Sequence, residues 1–370
     1  MLPLEDIRVL DFSTLLPGPL ASLILAEAGA EVIKVERPGG EEMRAYAPQV
    51  AGESANFALL NRGKRSIEID LRETGAAASL LALAPTVDIV LEQFRPGVMA
   101  RLGLGYDAWR EANPRILYCA ITGYGQDGPD AARAGHDLNY QAGSGVLSLS
   151  AGSDGTPGMP PVLLADIAGG SYPAVINILL ALRQRERTGE GGFLDIAMAE
   201  NLLPFLFWGL AQGQATGRFP RANDAQFTGA SPRYRIYRTA CGRHLAAAPL
   251  ENKFWQAFCE AIGLPAAHRD DALDPAATIE AVSRRLAERN ADHWEGVFRA
   301  ADCCVSVVRT LDEAVRDLHL AARGVFGREV RVEGHVLQAM PVALVRSLRR
   351  RESRVGSPAL GEARIGDLAR

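Results

Sequence analysis

The sequence predicts an α/β protein: a Rossmann-like large domain built on a parallel sheet, followed by a smaller α+β domain. Three observations carry this. In the first half, short apolar and β-branched runs alternate with Ala/Leu-rich helical periods, the pattern of repeated βαβ crossovers and of a sheet covered on both faces. Residues 213–231 are polar and rich in Gly, Arg and Asn, and hairpin and helix signals of a different texture follow them. At 370 residues, the chain also exceeds the ~100 to 200 usual for one domain. The expected division is a large domain over 1–190, a linker helix and loop over 191–230, a small domain over 231–325, and a segment over 326–370 that returns to the large domain.

Each element has its own signal. Residues 7–12 read as a strand, Pro17-Gly18-Pro19 opens a helix reaching about Gly29, and residues 31–36 form the second strand of a βαβ unit. Strands at 65–71, 88–91 and 115–121 alternate with helices at 75–84 and 106–112. The Gly/Ser/Pro-rich stretch 152–161 has the chemistry of a turn, either a lid or a plain surface loop, and precedes a long Ala/Leu/Ile helix over 165–186. Residues 193–197 can close the first sheet, and 200–211 form an apolar helix. Beyond the polar passage come a hairpin (234–238 and 244–248), helices at 252–262, 278–288 and 293–299, a strand at 305–308, a helix over 311–323, and short strands near Val330 and Val336.

Composition narrows the function. A net charge of −4 gives no global reason to bind nucleic acid or an anionic membrane, although arginines can still cluster locally. Five cysteines, Cys119, Cys241, Cys259, Cys303 and Cys304, show neither metal-ligand nor redox-motif spacing, which fits a reducing cytoplasm and no metal site. The amino terminus lacks a basic region followed by an apolar one, and no run reaches ~18 uninterrupted apolar residues, so neither signal peptide nor membrane span is expected.

The motifs exclude several enzymes. A dinucleotide fingerprint needs three spaced glycines after the first strand, whereas Ser13-Thr14-Leu15-Leu16-Pro17-Gly18-Pro19 has one. The phosphate loop of P-loop enzymes, His-Glu-x-x-His and Gly-x-Ser-x-Gly are also missing. Present instead are cations beside turns: Arg37 in Glu36-Arg37-Pro38-Gly39, Arg62 and Lys64 in Asn61-Arg62-Gly63-Lys64-Arg65-Ser66, and Arg95 in Phe94-Arg95-Pro96-Gly97. Arrayed after successive strands, they can converge on one polyphosphate, or each can merely solvate a loop tip.

The most informative stretch is Gly135-His136-Asp137-Leu138-Asn139-Tyr140-Gln141, with Asp166 about thirty residues on. Glycine admits close backbone approach and the neighbouring acid can orient an imidazole; the same triplet also suits a turn with a satisfied histidine. Asp166 begins the long helix, where a capping role competes with catalysis.

Taken in order and spacing, Val35-Glu36-Arg37-Pro38-Gly39, Asn61 to Ser66, Phe94-Arg95-Pro96-Gly97-Val98, Arg101-Leu102-Gly103-Leu104-Gly105, Ala120-Ile121-Thr122-Gly123-Tyr124-Gly125 and Gly135 to Tyr140 resemble the family III CoA transferases. The resemblance spans residues 4–330 and is greatest to the alpha-methylacyl-CoA racemases within that superfamily. It implies an interlocked homodimer, with an acyl-CoA thioester held between the large domain of one subunit and the small domain of the other. It implies no prosthetic group, coenzyme A entering as part of the substrate. Carried over by residue, His136 matches the racemase histidine, Asp166 the aspartate of the Leu-Ala-Asp context, and Glu251, before Lys253-Phe254-Trp255, an acid associated with the histidine. Arg37, Arg62, Lys64, Arg95 and the backbone of Gly123, Tyr124 and Gly125 would face the nucleotide and pantetheine.

Inversion at a carbon alpha to a thioester needs one group to remove a proton from one face and another to return it on the other, roles that His136 and Asp166 can fill. Asp137 would support them, and its backbone N–H would meet the enolate oxygen if a helix begins there. Transferases of the same superfamily use the aspartate matching Asp166 as a nucleophile that becomes an aspartyl-CoA thioester, and they commonly carry the Gln seen here as Gln141. His136 is the residue that favours the racemase.

Overall fold

The computed structural model describes residues 1–152, 155–352 and 354–368. The chain divides into two units: 1–144, 161–205 and 318–370 form the first, and 145–160 with 206–317 the second.

The first unit is organised by six strands: β1 (Arg8–Asp11), β2 (Glu31–Glu36), β3 (Arg65–Glu68), β4 (Ile89–Glu92), β5 (Leu117–Thr122) and β6 (Gly192–Ala197). All neighbours are parallel and the order is β3-β2-β1-β4-β5-β6. Strand order reverses between β1 and β4, so a crevice opens at the carboxyl ends of these two strands, where open α/β sheets bind ligands. Every residue of β4 and β5 is buried, as expected of strands covered on both faces. Leu10, Ile33, Ile67, Val90, Trp109 and Tyr118 belong to one core cluster of this unit.

Helix α1 (Pro17–Glu27) is buried along its whole length. That explains its lack of a polar face: a helix apolar all round is a core helix. Beneath it lies a buried polar layer. Asp11 accepts from the Ser13 N–H (2.9 Å), the Ser22 hydroxyl (2.5 Å) and Lys64 Nζ (3.3 Å). Burial alone would raise the Asp11 carboxyl, but the ammonium groups of Lys64 and Lys34 and the hydroxyls of Ser13 and Ser22 hold it below its ordinary value. Lys34 Nζ in turn donates to the Ser13 carbonyl (2.7 Å) and pairs with Glu41 (3.2 Å).

Helix α2 (Asp137–Gly143) follows the loop after β5, and α3 (Tyr172–Thr188) leads back to β6. The chain enters α3 through a π-helical turn, Ala165–Ser171. Its glycines permit this close approach: a Cβ on Gly169 would stand 2.3 Å from the Met198 carbonyl oxygen. The whole stretch 165–188 is long and apolar enough to cross a membrane, yet half of its apolar window is buried within the protein.

The C-terminal segment joins the first unit from residue 318, eight residues earlier than the expected 326. Its strands Glu329–Val332, His335–Gln338 and Arg354–Gly356 form a three-stranded sheet, of which the last strand had no sequence signal. Val330, Val332 and Ala339 pack on Ala58 of the helix Ala55–Asn61, and the Arg350 N–H reaches the Glu27 carbonyl (2.7 Å).

The expected linker over 191–230 is largely regular structure: β6 belongs to the main sheet, a 3₁₀ turn spans Glu200–Leu206, and a helix spans Phe207–Thr216. The second unit has an antiparallel sheet of Arg235–Arg238, His244–Ala247 and Val305–Val307, the middle strand being His244–Ala247. Helices Asn252–Ala261, Pro275–Leu286 and Ala291–Ala301 cover it through Trp255, Phe258, Leu286, Trp294 and Phe298. The expected helix over 311–323 is two short ones, Leu311–Val315 and Leu318–Ala322. Within the loop over 152–161, Ser153 and Asp154 lie outside the described residues, and an antiparallel bridge joins Ala151 to Pro157.

Candidate active site

A cavity of about 410 Å³ lies at the switch point of the main sheet. Leu15 and Pro17 follow β1, Gln93 and Arg95 follow β4, Gly123 follows β5, and His136, Tyr140 and Asp166 complete its wall. The loop after β1 is held from several sides. Leu15 adopts a left-handed φ of 61° and its N–H donates to Glu41 Oε2 (3.2 Å). The Gly18 N–H donates to Gln93 Oε1 (3.0 Å), and the Ser171 hydroxyl to the Pro17 carbonyl (2.8 Å).

His136 is the N-cap of α2, with extended backbone, and its N–H donates to Asn139 Oδ1 (3.0 Å). Its side chain is exposed, and the imidazole has no hydrogen-bond partner among the described residues. The adjoining glycines are steric necessities: a Cβ on Gly123 or Gly135 would come within 2.5 or 2.8 Å of the Tyr140 ring. Tyr140 donates to the Gly135 carbonyl (2.5 Å) and meets Tyr124 edge-on at 5.2 Å. Burial pushes its phenol up to about 12, so it stays a donor at neutral pH.

Asp137 is buried and fully engaged. Its Oδ1 accepts from the Ala165 (2.6 Å) and Asp166 (3.2 Å) N–H groups, and its Oδ2 from the Gln141 side-chain amide (2.6 Å). It therefore caps the helical segment that carries Asp166 and locks that segment to α2. The capping role open to Asp166 in the sequence is filled by Asp137, twenty-nine residues away. Asp166 is left free to face the cavity with no side-chain partner among the described residues. Burial, and then the nearby Asp137 charge, raise its carboxyl from 3.8 to about 6. Such a group holds and releases a proton near neutrality.

The other expected residues separate. Arg95 is exposed and lines the cavity, as does Gly123; Tyr124 and Gly125 form the adjoining turn, the Gly125 N–H donating to Thr122 Oγ1 (2.9 Å). Arg37 is exposed away from the cavity wall and pairs with Glu42 (2.9 Å). Arg62 and Lys64 require correction: neither can face a ligand. Arg62 donates to Glu27 (2.9 Å) and to the Leu59 and Met340 carbonyls; Lys64 donates to Asp11, Asn61 and the Pro19 carbonyl, which uses all three of its N–H bonds. Glu251 belongs to the second unit, exposed at the start of helix Asn252–Ala261. Leu15, Gln93 and Tyr140 were not anticipated in the wall. Tyr140 lay inside the Gly-His-Asp stretch, whereas nothing in the sequence signals a leucine at positive φ. Among the described residues, no group of three His, Cys, Asp or Glu side chains could hold a metal ion.

Such a sheet, with titratable side chains unpartnered at its switch point, defines an α/β enzyme site, and comparison with known proteins specifies which. The sequence profile of CoA-transferase family III matches residues 4–364, and the chain belongs to that family. It is 35% identical to the alpha-methylacyl-CoA racemase of Homo sapiens over 87% of this chain and 82% of the relative. It is 32% identical to the acetyl-CoA:oxalate CoA-transferase of Acetobacter aceti over 92% and 89% respectively. The crystal structure of a CAIB/BAIF family protein from Brucella suis superposes with a TM-score of 0.83 at 28% identity, covering 98% of this chain and 97% of that one. The protein is thus an enzyme of the family III CoA-transferase and racemase superfamily, for which acyl-CoA thioesters are the implied substrates.

Proposed function

We propose that the enzyme is an acyl-CoA racemase, interconverting the epimers of a 2-methylacyl-CoA by two-base proton transfer. The observation that carries this reading is the unpartnered Asp166 carboxyl, raised to about 6, in one cavity with the unpartnered His136 imidazole. Either group removes the alpha proton and leaves the electron pair delocalised onto the thioester oxygen as an enolate; the conjugate acid of the other returns a proton to the opposite face. Both groups must visit both protonation states, which a carboxyl of ordinary pKa does poorly at neutral pH. Arg95 and the backbone of Gly123 and Tyr124 are assigned to coenzyme A. Glu251 is assigned to the histidine, as the family resemblance implies.

The same reading includes self-association as an interlocked homodimer. Its support is the outward stripe of α3, where Ile176, Leu179 and Leu180 are 56%, 43% and 64% exposed, an apolar surface of the kind that marks protein interfaces. A cytoplasmic location is assigned on the five cysteines, all free.

Transfer of CoA through an aspartyl-CoA thioester is the second reading, favoured by the several transferases among the relatives. Gln141 no longer supports it specifically, because its buried side-chain amide donates to Asp137. Incubation of a 2-methylacyl-CoA in heavy water distinguishes the two. Alpha-deuteration with loss of epimeric purity is expected, and is expected to vanish in His136→Ala. An unlabelled substrate with CoA delivered to a free acid, together with a CoA adduct on Asp166 by mass spectrometry, would establish transfer instead.

A further inference from the structure

At the end of α1 remote from the candidate active site, arginines gather around too few carboxylates. Pro17, the first residue of α1, lines the active cavity; the helix has 11 residues, which carries its last turn about 16 Å away. There the Glu27 carboxylate is shared by Arg62 and Arg328, and Arg350 donates from Nε to the Ala26 carbonyl (2.8 Å). One Arg328 nitrogen, Nη2, is buried without an acceptor. Burial lowers the pKa of Arg62, and the charges of Arg328 and Arg349 lower it further against the opposing pull of Glu27. Residues 334–351 contain four arginines and no acidic residue.

In the same C-terminal segment, a cavity of about 620 Å³ is lined by Arg323, Arg346 and Arg349 together with Val342 and Leu344. None of these three guanidinium groups has an ion pair or side-chain hydrogen bond among the described residues. Three unpaired guanidinium groups on one concave wall repel one another unless an anion joins them. Each offers a planar fork of donors matched to phosphate oxygens, and the cavity volume is that of a small-molecule site.

We propose that the cavity of Arg323, Arg346 and Arg349 binds a diphosphate-bearing anion, at a site separate from the candidate active cavity. A diphosphate supplies enough charge and oxygen atoms to engage three guanidinium groups, and the apolar Val342 and Leu344 suit an organic group attached to it. The site requires no assumption about the reaction catalysed at Asp166.

Calorimetric titration of the full chain with inorganic diphosphate, and separately with ADP, tests this. Saturable binding of one anion per chain is expected, weakening as salt is raised because partly exposed charges are screened. The double variant Arg346→Ala/Arg349→Ala, or Arg323→Glu, is expected to lose about tenfold or more in affinity, whereas Arg95→Ala and His136→Ala bind as the wild type does. Tighter binding of ADP assigns the site to a nucleotide-like ligand, and equal affinities assign it to the diphosphate alone. The proposal is overturned if the chain shows no saturable binding, if the arginine variants bind unchanged, or if Arg95→Ala removes binding. Arg323 and Arg346 are exposed and unpaired, so their replacement leaves folding intact, which circular dichroism checks.

Discussion

Replacing Asp166 with asparagine should make the folded protein more stable near neutral pH while removing its activity. The carboxyl titrates at about 6 in the folded chain against 3.8 as its ordinary value, a difference of roughly two pH units. At about 1.4 kcal/mol per unit this corresponds to ~3 kcal/mol. Because the site opens to a cavity, solvent screens part of it, and a realised gain of about 1–3 kcal/mol is expected. The sign follows from proton binding. As pH rises from 4 to 6 the unfolded carboxyl loses its proton first, so the folded state becomes progressively less stable relative to the unfolded. Below both values neither form is charged and the penalty is absent. Asparagine is neutral throughout and keeps the Asp166 backbone N–H that Asp137 accepts. Thermal melts of the two proteins should therefore nearly coincide at pH 4 and separate by several degrees at pH 8, the variant being the higher. A gap that is independent of pH, or an asparagine variant less stable at pH 8, would refute the assignment of a strained, proton-holding carboxyl.

Four other substitutions probe the site and its supports. Asp137→Ala removes the acceptor of the Ala165 and Asp166 N–H groups and of the Gln141 amide; a loss of about 2–4 kcal/mol by urea denaturation is expected. It also removes a like charge from Asp166, so the pH–rate profile should shift towards acid; an unshifted profile would show that Asp137 does not act on Asp166. Lys64→Met removes the ion-pair partner of the buried Asp11 carboxylate, leaving it the Ser13 and Ser22 hydrogen bonds and the more distant charge of Lys34, and should cost about 3 kcal/mol, whereas Arg95→Ala should leave the melting temperature unchanged and raise KM for the thioester. Equal effects of the two on KM would restore Lys64 to the ligand site. Gly169→Ala places a Cβ 2.3 Å from the Met198 carbonyl oxygen, and a loss of about 1–3 kcal/mol with reduced kcat is expected, read by melting and by alpha-proton exchange.

What could be read from the sequence was local. β2, β4 and β5 announced themselves as apolar runs bounded by turn residues, and their parallel pairing followed from the helices between them. The Gly-His-Asp stretch stood out because it sets an imidazole and a carboxylate beside a glycine, and the structure gives that glycine, Gly135, a steric reason: a Cβ there would come within 2.8 Å of the Tyr140 ring. What could not be read was long-range. Lys64 and Arg62 sit beside a turn, as phosphate-binding cations often do, but their partners Asp11 and Glu27 lie more than thirty residues away. The capping of the Asp166 segment by Asp137 has no signature, since neither residue reveals that the two helices touch. The unit boundaries were misplaced for the same reason: residues 145–160 and 318–325 look like their neighbours in sequence and pack with something else.

The π-helical turn over Ala165–Ser171 has a consequence for how this site can vary. A helix sets the compass bearing of each side chain, about 100° per residue, and a wider turn at its mouth holds one residue more than an α-helix would. Deleting a single residue between Asp166 and Tyr172 would let the helix wind regularly, keep every bond of α3, and swing the carboxyl about a quarter-turn off the cavity. The length of that seven-residue turn is therefore an angular setting, more exacting than the identity of most residues within it.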